Sequence, residues 1–388
     1  MLENTHYDYL IAGAGAAGLS LAYQIAQNPT LCNKKILLID KVQKKSNDRT
    51  WCFWAKDENQ WFQKLAFRQW EAVWFKCPEY EKKILLSPYS YWMIKSIDFY
   101  THTLNFLENQ NQVHFLYTSI NQITADAQKA TINTDEGNFT ADWVFDSTWQ
   151  PSSTQKKGYH YFLQHFKGYV ISTPKPLFDP EAPVFMDFRI DQKQETRFVY
   201  ILPYSPNQAL VEFTIFSENL LPKSTDYDQV LEDYIINYLQ CAEYTIEEIE
   251  QGVIPMFDIP FKKKPQKRVM NIGIGGGAAK ASTGYAFWNI QQETEKIVKS
   301  LATQEHPFYA QSWWQKRFRF YDALLLSVLQ KQKPTGAKIF SILFKKHPVK
   351  RLFSFLNETS HFGQELQIMS SVPPLPFLKG IPKTLRRS

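Results

Sequence analysis

The chain lacks most of what holds small secreted domains and metalloproteins together. Its four cysteines, Cys32, Cys52, Cys77 and Cys241, lie far apart among 388 residues with no Cys-x-x-Cys pair. That spacing argues against structural zinc and against a disulfide framework, and a reducing cytoplasm is the expected compartment. The eight histidines form no ligand cluster, which disfavours a metal-dependent hydroxylase or oxygenase. No repeat, low-complexity tract or nucleic-acid-reading motif is visible, so no nucleic-acid partner is expected.

Long hydrophobic runs are missing too. The uncharged stretch from Tyr9 to Asn33 is interrupted by Gly13, Gly15, Gly18, Gln24 and Pro29, and acidic rather than basic residues (Glu3, Asp8) precede it. It reads as a strand, a turn and a helix, not as a signal peptide or a span. No other stretch is long enough to cross a bilayer, so the protein is expected at most to lie on one. The net charge is +6, with much of the excess in "KIFSILFKKHPVKRLFSFL" and "PFLKGIPKTLRRS", where Lys and Arg alternate with Phe, Leu and Ile. Two readings fit: a surface against anionic lipid, giving peripheral attachment to the inner face of the membrane, or amphipathic helices packed on the body.

What the chain does have is two glycine-rich turns. "YDYLIAGAGAAGLSLAYQIAQ" reads as a buried strand, then Gly13-x-Gly15-x-x-Gly18, then a helix, and the strand "KILLID" follows, ending in Asp40. In such a unit the glycines allow a tight turn, close approach of a pyrophosphate and close helix–strand packing. The helix N-terminus faces the phosphates, and Asp40, 22 residues after Gly18, is the candidate for a ribose hydroxyl. The second turn, "GIGGGAAKASTGYAFW", comes late, after "RVMNI".

The runs between them set the domain organisation. Residues 1–60, 94–150 and 255–300 are expected to form a discontinuous FAD-binding, Rossmann-like α/β domain of the glutathione-reductase or hydroxylase type. It is interrupted by a mostly antiparallel substrate domain over 61–93 and 151–254 and followed by a helical region over 301–388. One long cofactor then explains both turns: the first holds its ADP half, and the late turn, through Gly275, Gly276, Thr283, Gly284 and Tyr285, reaches the other end. A helix beginning near Ser282 would aim its N-terminus at the pyrimidine ring of a flavin, where reduction develops negative charge.

Several motifs in order resemble the bacterial-type lycopene β-cyclases: "NDRTWCFW", "VFMDFR", "FVYILPYSPNQALVEFTIFSE", "GVIPM" and "ASTGYAFW", behind the N-terminal glycine turn. The resemblance covers residues from about 7 to 330. It implies a flavoprotein that folds the linear ψ-ends of lycopene into β-ionone rings, an isomerase-type cyclisation without net redox change. It also implies FAD in its reduced form, with NAD(P)H as reductant. A flavin-dependent monooxygenase or reductase acting on an isoprenoid is the alternative, because fold alone does not fix chemistry.

Ring closure needs a proton for a terminal alkene, a dry sheath for the cation and removal of a proton afterwards. A carboxylic acid is a usable donor only if burial keeps it protonated. Glu212 is the sole ionisable group of "ALVEFTIF", on one face with Leu210, Thr214 and Phe216 by the two-residue alternation, and the resemblance matches it to the family's acid. Where such cyclases often carry a second acid next in sequence, this chain has Phe213, and "AKAST" replaces a common histidine and proline. Arg49 and Thr50 are expected beside the flavin, with Arg49 balancing its charge. Asp146, at a strand end, is read as a cofactor contact or a cap, and Asp187 and Arg189 as substrate contacts or an ion pair. The aromatic cluster from Trp61 to Trp92 lines a polyene tunnel or is ordinary core.

Overall fold

The computed structural model describes residues 6–148, 156–223, 225–310, 316–332 and 335–381. In chain order, β1 (His6–Ala12), α1 (Ala16–Gln27) and β2 (Ile36–Asp40) build the first unit. Next come β3 (Thr50–Ala55), a 3-10 turn at Trp61–Leu65, β4 (Arg68–Trp70), β5 (Ala72–Cys77), β6 (Tyr80–Leu85) and β7 (Ser90–Lys95). After α2 (Ser96–Glu108) the chain forms β8 (Val113–Tyr117), β9 (Ile120–Ala125), β10 (Ala130–Thr134) and β11 (Gly137–Asp146). Then follow β12 (Tyr161–Ser172), β13 (Val184–Asp187), β14 (Thr196–Ser205), β15 (Gln208–Ser217), α3 (Thr225–Asp233), β16 (Thr245–Phe257) and β17 (Val269–Asn271).

The first sheet has the order β8-β2-β1-β11-β10-β9, with β17 pairing β11. Its central strand β1 lies parallel between β2 and β11 and is buried on both faces. Tyr9 and Ile11 pack toward α1, and Leu10 and Ala12 toward the opposite core, which is why the run reads as continuously apolar. The turn after β1 depends on glycine. Gly13 has φ +93°, and a Cβ on Gly18 would sit 1.9 Å from the Gly13 carbonyl oxygen, so only glycine lets α1 approach so closely.

The second sheet, β16-β12-β15-β14-β13-β5-β6, is antiparallel except for the β13–β5 pair. Its back face carries Val211, Phe213 and Ile215 under Leu231, Tyr234 and Ile235. Its front face carries Leu210 and Phe216 toward the cleft and the C-terminal helices. A three-stranded sheet, β3-β7-β4, stands beside it. Most of the aromatics between Trp61 and Trp92 are core or structural. Phe62 is buried, Trp70 Nε1 donates to the Pro180 carbonyl at 2.9 Å and Trp74 Nε1 to Asp179 at 3.1 Å. Tyr91 is the member of that cluster that faces the cleft described below.

The late helix, α4 (Phe287–Gln304), starts five residues beyond Ser282. Gly284 takes φ +72°, and the Thr283 and Gly284 N–H groups both donate to the Lys280 carbonyl, so this stretch is spent on a turn. Helices α5 (Lys316–Lys331), α6 (Gly336–Lys346), α7 (Val349–Leu356), α8 (Phe362–Ser371) and α9 (Pro374–Leu378) complete the described chain. The apolar residues of 338–356 point inward: Phe340, Phe344, Leu352 and Phe353 are buried, while Lys345, Lys346 and Lys350 are exposed. That segment is a pair of packed amphipathic helices. Residues 382–388, the basic end of "PFLKGIPKTLRRS", lie outside the described residues. Among the described residues no helix is long and apolar enough to cross a membrane.

Candidate active site

A cleft of about 550 Å³ runs between the two glycine turns. Gly15, Ala16 and Ala17 line it together with Gly273, Ile274 and the segment from Thr283 to Phe287. Both α1 and α4 therefore present N-termini to it, and neither has a side-chain cap, which leaves donors and positive dipole for an anionic ligand. A Cβ on Gly15 would meet open space. Beside Gly284, the buried Oε1 of Gln164 has no hydrogen-bond partner among the described residues. Two uncapped helix starts, with an orphaned amide oxygen beside the second, suit a long, polar, phosphate-bearing cofactor.

The predicted site residues divide. Gly15, Arg49, Thr50, Thr283, Gly284 and Tyr285 line the cleft together with Glu212, whereas Gly13 and Gly18 shape the turn behind it. Asp40 ends β2 and braces that turn, accepting the Ala14 N–H at 2.7 Å through one oxygen. Asp146 accepts from the N–H and hydroxyl of Thr148 at 2.8 and 2.6 Å. It acts as a turn brace, and its neighbour Ser147 is the residue that reaches the cleft. In the late turn Gly273 and Ile274 face the cleft, while Gly276 faces a separate polar cavity. A Cβ on Gly276 would lie 2.6 Å from the Asn271 carbonyl oxygen, so its role is the tightness of the bend, and Gly275 stands between them in the same turn. Asp187 and Arg189 form an ion pair with N···O contacts of 2.6 and 2.9 Å, joined by the Tyr234 hydroxyl at 2.6 Å. Asp187 is fully buried and needs that pairing.

Glu212 sits on the front face of β15 at the floor of the cleft. Its carboxylate accepts the Thr214 hydroxyl at 2.8 Å, and burial, followed by the nearby Glu250, pushes its pKa from 4.5 to about 8. Glu250 was not legible as a partner, because "TIEEIEQG" offers three acids on a mostly exposed strand. Strand register makes the connection: Gly168 on β12 pairs with Glu212 on one side and Glu250 on the other. The pair thus flanks a position without a side chain, and a Cβ there would come within 3.2 Å of the Glu212 Cβ and 2.8 Å of Leu210. Glu250 is anchored by the Thr50 N–H at 2.8 Å and the Thr50 hydroxyl at 2.6 Å. Phe213 points to the opposite face, so the second carboxyl near Glu212 comes from another strand.

On the other flank, Tyr200 is the cross-strand neighbour of Glu212. Its hydroxyl lies 3.5 Å from that of Tyr285, which lies 3.0 Å from that of Tyr91. Burial raises all three phenols well above their usual range, so they stay neutral beside the acid. Aromatic rings beside a carboxyl of raised pKa are surroundings that suit a carbocation.

A family model described as lycopene cyclase protein matches residues 8–381. The chain belongs to the lycopene cyclase family. A lycopene beta-cyclase of Pantoea ananas is 24% identical over 396 residues, covering 97% of both chains. The neoxanthin synthase of Solanum tuberosum is 24% identical, covering 72% of this chain and 57% of its own. Among solved structures, a geranylgeranyl bacteriochlorophyll reductase-like protein from Thermoplasma acidophilum superposes with a TM-score of 0.61 at 12% identity, over 97% of this chain and 99% of that one. The flavin-dependent brominase Bmp2 gives 0.60 at 14% identity, over 99% and 100%. The fold is thus that of FAD-binding hydroxylase- and reductase-type flavoproteins, and the family membership extends through the C-terminal helices.

Proposed function

We propose that this protein is a lycopene β-cyclase that closes the ψ-ends of lycopene into β-ionone rings. The observation that carries the reading is the placement of Glu212, a carboxyl whose pKa burial pushes up to about 8, in a cleft lined by two uncapped helix N-termini in a chain of the cyclase family. Glu212 gives its proton to the terminal alkene, the cation closes on the neighbouring double bond, and a ring proton leaves, so the product is an isomer of the substrate. Tyr200, Tyr91 and Tyr285 present neutral rings and hydroxyls along the path and exclude bulk water. The ring proton passes to solvent and Glu212 is reloaded from solvent before the next turnover, while Thr50 holds Glu250 in place across Gly168.

FAD is the cofactor the cleft suits, held by Gly15, the N-termini of α1 and α4, Arg49 and the Thr283–Tyr285 turn. In its reduced form it supplies an electron-rich ring that favours positive charge nearby, and NAD(P)H is the proposed reductant. The enzyme is proposed to work at the membrane surface, where its water-insoluble substrate resides. Phe362 and Leu375, 60% and 67% exposed on α8 and α9, are apolar groups of the kind that enter an interface. Incubation with lycopene, FAD and a reductant without oxygen tests the reading. A product of unchanged mass with ring end groups is expected; a product heavier by oxygen or hydrogen contradicts it.

A further inference from the structure

A second cavity, of about 350 Å³, lies on the far side of Tyr285 from the cofactor cleft. Phe216 of β15, Leu325 of α5, Leu343 of α6, Phe355 of α7, Met369 of α8 and Phe377 of α9 each contribute to its wall. Its lining is almost wholly apolar, so it offers water few partners, and it has too few polar groups to orient a nucleotide or a sugar.

Position makes this cavity more than a packing fault. Thr283 and Tyr285 line both it and the cleft, so one turn of chain is the partition between them. Strand β15 runs past that partition: Leu210 and Glu212 line the cleft, and Phe216, on the same face, lines the cavity. Four residues of strand span ~13 Å, so the acid and the chamber lie along one strand face with only the Thr283–Tyr285 turn between them. At the outer side, Leu366 and Leu378 line the chamber and are also 49% and 55% exposed, so it reaches the surface between α8 and α9.

We infer that this chamber is the binding site for the conjugated body of the polyene, with the reacting end group beyond Tyr285 at Glu212 and the rest of the chain leaving between α8 and α9. The inference rests on the cyclase reading, since a rigid linear polyene is the ligand considered. A long conjugated rod cannot fold into the Glu212 compartment, and it needs an unbroken apolar groove in line with the reacting end. The chamber, reached along β15 and built by five C-terminal helices, supplies that groove. Tyr285, hydrogen-bonded to Tyr91 and packed 4.5 Å from the Trp54 ring, is the side chain that must turn aside for the chain to pass.

Full-length, FAD-loaded protein carrying Leu325→Trp or Leu343→Trp tests this by filling the chamber from two different helices. Three readouts are taken: bound flavin, the visible spectrum of bound lycopene, and conversion of lycopene beside a short ψ-ended analogue that fits within the Glu212 compartment. Both variants are expected to keep flavin and to convert the short analogue, while lycopene binding and conversion fall at least tenfold. Unchanged binding and conversion of lycopene in both variants overturns the inference. Should tryptophan disturb the fold, Leu378→Cys at the exposed rim provides an independent reading. Lycopene should slow its labelling by a thiol reagent, and equal labelling with and without lycopene overturns the exit route and the chamber with it. If the wild-type protein converts neither compound, the cyclase reading fails, and the spectral binding arm still decides the chamber.

Discussion

Desolvation at the cleft floor, followed by Glu250 across a position without a side chain, pushes the Glu212 pKa up to about 8. Deprotonation then costs activity, so turnover is expected to fall as pH rises through about 8. Glu250→Gln removes the like charge, and the alkaline limb of the pH–activity profile should move down by about one unit; an unmoved limb would detach Glu250 from the acid. The same shift governs stability. Between 4.5 and about 8 the folded protein holds a proton that the unfolded chain releases, so this group's contribution is full below 4.5 and is lost as pH rises through that window. Glu212→Gln is therefore expected to stabilise the flavin-free protein at pH 7, on the order of 1–3 kcal/mol in urea denaturation, while abolishing ring formation and leaving FAD bound.

At the scale of elements, the close approach of strands decides where the acid points. Gly168→Ala places a methyl against Leu210 and the Glu212 stem, and since both belong to a packed strand the acid must yield. We expect a loss of activity of at least tenfold with a stability cost of ~1–3 kcal/mol, read by lycopene turnover and thermal melting of one sample. Elements of this kind were legible where local sequence specifies them. The β1–α1–β2 unit follows from its glycines and apolar runs, and β15 from alternation that puts Leu210, Glu212, Thr214 and Phe216 on one face. The start of α4 was not, because Gly284 uses a left-handed turn that helical spacing does not reveal. Nor was the partnership of Glu212 with Glu250, which arises from pairing across β12 between residues 38 positions apart in the chain. Asp146 shows the same limit, since a strand-end acid reads alike whether it braces Thr148 or meets a ligand.

Over the whole molecule, the C-terminal helices are tied to the late glycine turn by one buried cluster. Lys280 Nζ contacts Asp322 of α5 at 3.1 Å and Glu358, after α7, at 2.9 Å. Removing the cation leaves the buried Asp322 and the half-buried Glu358 without it, so Lys280→Met is expected to cost ~3 kcal/mol. It should also loosen the turn that carries Thr283 to Tyr285, seen as a lowered melting temperature and weaker flavin retention. Retention of both at wild-type levels would separate the helical region from the site. The alternating Lys and Phe of residues 338–356 could not disclose this architecture. Their pattern suits a lipid surface as well as a protein core, and the partner surface on the front of the second sheet lies more than a hundred residues away.

The central claim is that a ring forms because Glu212 delivers a proton, and solvent deuterium reports this directly. With exchangeable sites equilibrated in D2O, each ring closed by the wild-type enzyme should carry one deuterium, and Glu212→Gln, with its flavin still bound, should yield no ring. Rings free of deuterium after full exchange, or undiminished ring formation by Glu212→Gln, would contradict the account.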